Sequence, residues 1–276
     1  MLKGLEHRRA WPTGTVDSHG LPNFLTLPAR EEKPRRTGIT HVLDKGTPLP
    51  ALEAYLVSQA HLIDYLKIGW GTAYIDPTAK ERVALCSAAG VDVCLGGTLL
   101  EVCAAQGKVA ELCGWAQSIG VDAVEVSNGL QFLTPDQKSG LIRSLSQDFT
   151  VLAETGAKSQ TAPVVAEEWL RELESDLDAG ATLAITEGRE NGTVGLYGPD
   201  GCVRADLVEA IVARLPRERV LFEAPKKAQQ VWLVNRMGAQ VNIGNVPLDE
   251  VLALETTRLG LRADTVPVPD AGAGRE

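Results

Sequence analysis

A chain of 276 residues with 44% hydrophobic content is long enough to bury a full core, and its length suits a single-domain α/β fold of the (β/α)8 TIM-barrel kind better than two domains. Its formal net charge of -9, without a clustered basic face, argues against nucleic acid or an anionic membrane as partner and leaves room for a small anionic substrate met by locally placed cations. Five cysteines without a C-x-x-C, and no apolar run near the ~18 residues of a membrane span or resembling a signal peptide, predict reduced core thiols in a soluble cytoplasmic protein.

Residues 1–36 carry Pro, Gly and seven Lys or Arg without sustained periodicity, and read as an N-terminal arm, partly flexible, outside a barrel spanning residues 37–265. From Gly38 the pattern becomes regular. Residues 39–44 predict strand one, 52–60 helix one and 62–69 strand two. Asp76-Pro77 supplies a cap and a first-position proline for helix two, which closes at Gly90. Strand three covers 91–95, and a long helical stretch interrupted by glycine runs to Gly120. Strand four covers 121–126, and Thr134-Pro135-Asp136-Gln137 has the form of a capping box opening a helix over 135–147.

Strand five ends at Glu154, an amphipathic helical period fills 164–177, and strand six covers 182–187. A loop over 188–201 leads to helix six (205–215), strand seven (219–223), helix seven (227–237), strand eight (240–244) and helix eight (248–261). Eight strand-helix pairs in order favour a barrel over a doubly wound sheet. The tail from Val266, rich in Pro, Gly and Ala, is expected to be flexible.

In such a barrel the chemistry sits where strands end. Glu125, Glu154, Glu187 and Glu223 each close a mostly apolar segment, 29, 33 and 36 positions apart. One such glutamate marks only the point where a chain turns polar, but four in succession make an acidic rim. Clustered carboxylates repel unless a cation neutralises them, and hard oxygen ligands suit Mg2+ or Mn2+; four histidines without ligand spacing make zinc a poor choice. Lys67 stands out because Leu66-Lys67-Ile68 sets an ammonium inside an apolar strand, where it needs an acid or an anionic ligand. Gly96-Gly97-Thr98 forms either a simple turn or a cradle of N–H groups for phosphate at a helix start. Asp44 and Lys45, Trp70, Ser127 and Asn128, Lys158, Arg189, Lys227, Asn242 and Asn245 complete the expected rim.

The order and spacing of Asp44-Lys45-Gly46, Lys67-Ile68-Gly69-Trp70-Gly71-Thr72, Gly96-Gly97-Thr98-Leu99, Glu125-Val126-Ser127-Asn128-Gly129, Glu187-Gly188-Arg189-Glu190, Phe222-Glu223-Ala224-Pro225 and Leu261-Arg262 resemble the phosphosulfolactate synthase family of coenzyme M biosynthesis. That family also resembles a plant heat-stress-associated protein, which keeps a non-catalytic role among the alternatives. The resemblance implies a Mg2+-dependent carbon-sulfur lyase working synthetically, adding sulfite to phosphoenolpyruvate through an enediolate. It also implies roles: Lys158 as general acid; Arg189, Lys45, Lys67 and Lys227 gripping phosphate and sulfonate oxygens, with Lys45 counted among the catalytic residues; Glu154 and Glu187 with Asp44 around the metal. Thr98, Ser127, Asn128 and Asn242, at the strand ends, complete the expected substrate-binding set. Barrels of this type often associate, so a homo-oligomer is expected. Glu154-Thr155-Gly156-Ala157-Lys158 departs from the family's Glu-Val-Gly-Lys-Lys by one cation, which opens the alternative of a diverged paralogue using another nucleophile or another unsaturated carboxylate.

Overall fold

The computed structural model describes residue 16, residues 22–157 and residues 163–266. Eight parallel strands close into one barrel in sequence order: β1 (Thr40–Asp44), β2 (Tyr65–Ile68), β3 (Asp92–Leu95), β4 (Ala123–Val126), β5 (Thr150–Thr155), β6 (Leu183–Thr186), β7 (Val220–Glu223) and β8 (Ile243–Pro247). The ring closes where β1 pairs with β8, Thr40 opposite Ile243. Helices α1 (Leu49–Gln59), α2 (Thr72–Ile75), α3 (Ala79–Ala88), α4 (Gly97–Ala105), α5 (Val109–Ile119), α6 (Pro135–Leu145), α7 (Ala166–Asp178), α8 (Ala205–Arg214), α9 (Lys227–Met237) and α10 (Val251–Arg258) occupy the connections. None of the described helices is long and apolar enough to cross a membrane, and all five cysteines are free thiols.

Local signals explain most boundaries. The capping box that opens α6 is present, with Gln137 N donating to Thr134 Oγ1 at 3.3 Å and Thr134 N to Gln137 Oε1 at 2.8 Å. The long stretch expected after strand three is two helices, because Gly107 takes φ 66° and ends α4 before α5 starts. β8 begins at Ile243 and not at 240, since Gly238 to Val241 form a turn closed by Val241 N on Gly238 O. That shift of three residues matters for the site.

Strand alternation sorts the core into two shells. Outward residues such as Val42, Leu66, Val93, Val124, Val151, Ala184 and Phe222 pack against the helices. Inward, Ile39, Cys94, Ala123, Leu152, Leu183, Ile185 and Leu221 form a separate apolar plug. Two residues further along the same inward face stand Lys67 after Tyr65, Glu125 after Ala123, Glu154 after Leu152, Glu187 after Ile185 and Glu223 after Leu221. Period two therefore stacks a charged layer on an apolar one.

The opposite end, the floor, is tied by cations bonded to carbonyls. Arg258, fully buried, donates to Ala239 O at 2.7 Å, Val241 O at 2.5 Å and Ile39 O at 3.1 Å. Residues 30–36, within the expected arm, are bonded to this floor. Arg30 reaches Glu255 at 2.8 Å, Arg35 reaches Asp64 at 3.1 Å, and Lys33 donates to the carbonyls of Ala60, Ile63 and Gly90.

His41, on the inward face of β1, is wholly buried; that burial, with Lys67 nearby, pushes its imidazole down to about 3 from 6.5. Between those values the unfolded chain binds a proton that the folded chain refuses, so stability is lost as pH falls below 6.5. Urea unfolding across pH 6.5 to 4 is expected to show the wild-type free energy falling up to about 1.4 kcal/mol per pH unit more steeply than that of His41→Gln.

Candidate active site

The charged layer faces a cavity of about 280 Å³ at the C-terminal mouth, lined by Lys67, Trp70, Gly97, Thr98, Glu125, Glu154, Glu187, Arg189, Glu223 and Asn245 among others. At its base Lys67 Nζ donates to Glu125 Oε2 and to Glu223 Oε1, both at 2.9 Å. An ammonium from β2 thus joins carboxylates from β4 and β7 across the barrel. Oxygens of Glu125, Glu154 and Glu223 come within 4.8 Å of one another, a spacing that could hold a metal ion. All three carboxylates are buried, and Lys67 is shared between two of them, Glu125 and Glu223.

Backbone amides aim the carboxylates. Gly97 N, at the start of α4, donates to Glu125 Oε1 at 2.8 Å. Gly188 N and Arg189 N donate to Glu223 Oε2 at 2.9 and 3.1 Å, and Arg189 N also reaches Glu187 Oε1 at 2.6 Å. Burial alone would raise the Glu125 carboxyl, but Lys67, by charge and hydrogen bond, and the Gly97 amide outweigh it and hold it down at about 2. Lys67 is driven well above its ordinary value: burial opposes its charge, and Glu125, Glu223 and Glu154 more than offset that. The non-glycine residues Trp70, Arg189 and Asn245 take φ values of 52°, 52° and 53°, so backbone strain is concentrated around this cavity.

Behind β5 a second buried cluster fixes the strand end. Lys138 of α6 donates to the Glu154 carbonyl at 2.8 Å and to Glu172 and Asp176 of α7 at 2.6 Å each, while Thr155 Oγ1 reaches Asp176 Oδ2 at 3.3 Å. Burial pushes the Asp176 carboxyl up to about 6. The loop over 188–201 also has a core of its own. Val194, Leu196 and Tyr197 are buried, and the Tyr197 hydroxyl donates to the Glu223 carbonyl.

The residues expected around the chemistry separate into two groups. Lys67, Thr98, Glu154, Glu187 and Arg189 line the cavity together. Asp44 does not: Oδ2 accepts Arg82 Nη1 at 2.8 Å, and Oδ1 accepts the N–H of Gly46 at 3.1 Å and Thr47 at 2.8 Å, so its oxygens turn away from the cavity. Lys45 is exposed beside it and outside the cavity. Ser127 is buried and donates to Glu101, and Asn128 closes its own loop through Leu133 N at 2.9 Å and Leu133 O at 2.7 Å. Lys227 pairs with Asp264 at 2.5 Å on the exterior. Asn242 lies at the floor, accepting Ile39 N at 3.0 Å and donating to Val220 O at 3.0 Å, because β8 starts after it and not before it. Lys158 lies outside the described residues. Glu125 and Glu223 stand beside Glu154 in a group of acids that could hold a metal ion, with Glu187 on the same cavity wall; the period-two relation of these glutamates to buried apolar residues is the available sequence signal.

Gly97 is one of the positions where this geometry tolerates no side chain. A Cβ there would lie 2.8 Å from Ser127 Cβ and 3.1 Å from Glu125 Oε1. Gly97→Ala is expected to cost about 1–3 kcal/mol in urea unfolding, and to raise the pH at which acid unfolds the protein, because Glu125 loses an amide that keeps it ionised.

Comparison with known proteins agrees with this architecture. A family model described as (2R)-phospho-3-sulfolactate synthase matches residues 28–264. Phosphosulfolactate synthase of Bacillus subtilis (strain 168) is 36% identical over 244 residues, covering 87% of this chain and 97% of that protein. The phosphosulfolactate synthase of Methanothermobacter thermautotrophicus is 38% identical over 250 residues, covering 88% and 96%. Among solved structures, 3-hexulose-6-phosphate synthase from Salmonella typhimurium shares the fold at a TM-score of 0.53 and 13% identity, covering 79% of this chain and 97% of that one. The match across nearly the whole barrel, at identities well above those of fold-only neighbours, shows that the chain belongs to the phosphosulfolactate synthase family.

Proposed function

We propose that this enzyme adds sulfite to phosphoenolpyruvate to give phosphosulfolactate, as a carbon-sulfur lyase running in the synthetic direction, with Mg2+ or Mn2+ held by Glu125, Glu154 and Glu223. The observation that carries the reading is the buried triad beside Lys67 in a chain of this family. Its all-oxygen, carboxylate donor set suits a hard divalent cation and favours Mg2+ or Mn2+ over softer metals.

The chemistry is an addition without a leaving group. The sulfur lone pair of sulfite forms a bond to the methylene carbon, the C=C π pair moves towards the substrate carboxylate to give an enediolate, and a proton delivered to the adjacent carbon completes the product. A bound divalent cation supplies positive charge where that negative charge gathers. Arg189 and Lys67, with the α4 start at Thr98, would grip phosphate and sulfonate oxygens, since a helix N-terminus and cations converge on the cavity there. In sequence Lys158 follows by three residues the end of β5, the strand that presents Glu154, and it is assigned the proton transfer. The plug of Cys94, Leu152, Ile185 and Leu221 beneath the charged layer closes the barrel to water from below. A reaction between two small charged metabolites, in a chain with five free thiols, fits a cytoplasmic setting.

Incubating the purified protein with phosphoenolpyruvate, sulfite and Mg2+ is expected to yield a new phosphate ester by phosphorus NMR, lost on adding EDTA. Lys158→Ala is expected to keep its thermal midpoint while turnover drops about 10²-fold or more. Full turnover by that folded variant would remove Lys158 as the acid. Phosphoenolpyruvate left intact by a protein that still binds Mg2+ would overturn this substrate assignment.

A further inference from the structure

Two of the carboxylate oxygens that a cation would need, one from Glu125 and one from Glu223, are already held by one group, the Lys67 ammonium. In Glu125 one oxygen, Oε1, is fixed by Gly97 N–H at 2.8 Å, and in Glu223 Oε2 is fixed by the amides of Gly188 at 2.9 Å and Arg189 at 3.1 Å. The remaining oxygen of each, Glu125 Oε2 and Glu223 Oε1, accepts from Lys67 Nζ at 2.9 Å. These amide clamps leave little freedom to rotate the carboxylates. Gly97 has no room for a Cβ beside Ser127, and one on Gly188 would meet the Glu223 carbonyl at 2.7 Å. A divalent cation entering the triad therefore competes with the ammonium for the same two oxygens, and two cations on one pair of oxygens repel.

We infer that Lys67 is the resident cation of this site, displaced from Glu125 and Glu223 when a divalent cation enters and thereby delivered, still charged, to the anionic substrate. The direction of its release follows from its surroundings. Beneath it lies the apolar plug of Cys94, Leu152 and Leu221, where an ammonium would be unsolvated, and the polar volume within reach is the cavity that Lys67 already lines. The contacts of Lys67 account for the order of binding. Before exchange, an arriving anion meets an ammonium whose donors are spent on Glu125 and Glu223. After exchange, the ammonium presents those donors to the anion. The cation thus precedes the substrate, and each raises the other's affinity by the same factor.

This inference rests on the divalent-cation reading above, and its test uses no turnover. Free Mn2+ is followed by electron paramagnetic resonance during titration of the full chain, with and without phosphoenolpyruvate and in the absence of sulfite. In the wild type, phosphoenolpyruvate is expected to tighten Mn2+ binding about tenfold or more. Lys67→Met keeps the length of the side chain and removes its charge; it is expected to bind Mn2+ about tenfold more tightly than wild type and to lose the coupling to phosphoenolpyruvate. Should that variant fold only when Mn2+ is present, the same exchange is read as a metal-dependent rise in thermal midpoint larger than that of wild type. Mn2+ bound by the wild type but equally or less tightly by a folded Lys67→Met, or wild-type binding indifferent to phosphoenolpyruvate, overturns the exchange and leaves the cation site standing. Mn2+ bound by neither protein overturns both.

Discussion

The structure depends on an ammonium buried within the barrel. Lys67 lies on the inward face of β2, above an apolar plug, and its charge is tolerable there because Glu125 and Glu223 come to it from β4 and β7. Removing either partner of such a buried pair leaves an uncompensated charge, at a cost of about 3–5 kcal/mol. The requirement spreads outward from that point. Each carboxylate must be aimed, so backbone amides from the β3–α4 and β6–α8 connections are brought in, and those amides approach closely because Gly97 and Gly188 carry no side chain. Much of the loop geometry at the mouth serves the orientation of two glutamates.

The two ends of the barrel use cations differently. At the floor, Arg258, Arg30 and Lys33 are spent on backbone carbonyls and on Glu255, which satisfies strand and helix ends and leaves little charge to recruit a ligand. At the mouth, Lys67 is spent on carboxylates, and these acids face a cavity. A surface that is electrostatically closed stabilises, and one left open binds. The cluster of Lys138, Asp176 and Thr155 stands between these cases: it touches only the back of β5, yet it fixes the carbonyl of the residue whose side chain faces the cavity.

The barrel could be read from the sequence because its signals are local and repeated: apolar runs ending in polar residues, glycine stops, one complete capping box. The site was less readable. Asp44 and Glu125 look alike as acids after apolar runs, and what separates them is Arg82, a partner on α3 that no local pattern ties to β1. Asn242 reads as a mouth residue because a turn-forming stretch before β8 resembles a strand, yet it belongs to the floor. Glu125 and Glu223 were visible as members of the acidic rim. Their distinction from Glu187 is a matter of which carboxylates converge on Lys67, and convergence across a closed barrel is a long-range property.

The floor contacts also bear on connectivity. β1 pairs with β8 as any two successive strands pair, and Arg30, ahead of β1, is bonded to Glu255 in α10. The fold is therefore a ring of strand-helix links with one link left unjoined, and mechanically the position of that gap is arbitrary. A chain opened elsewhere, at the Gly107 break between α4 and α5 for example, and rejoined across the floor, would present the same acids in the same circular order.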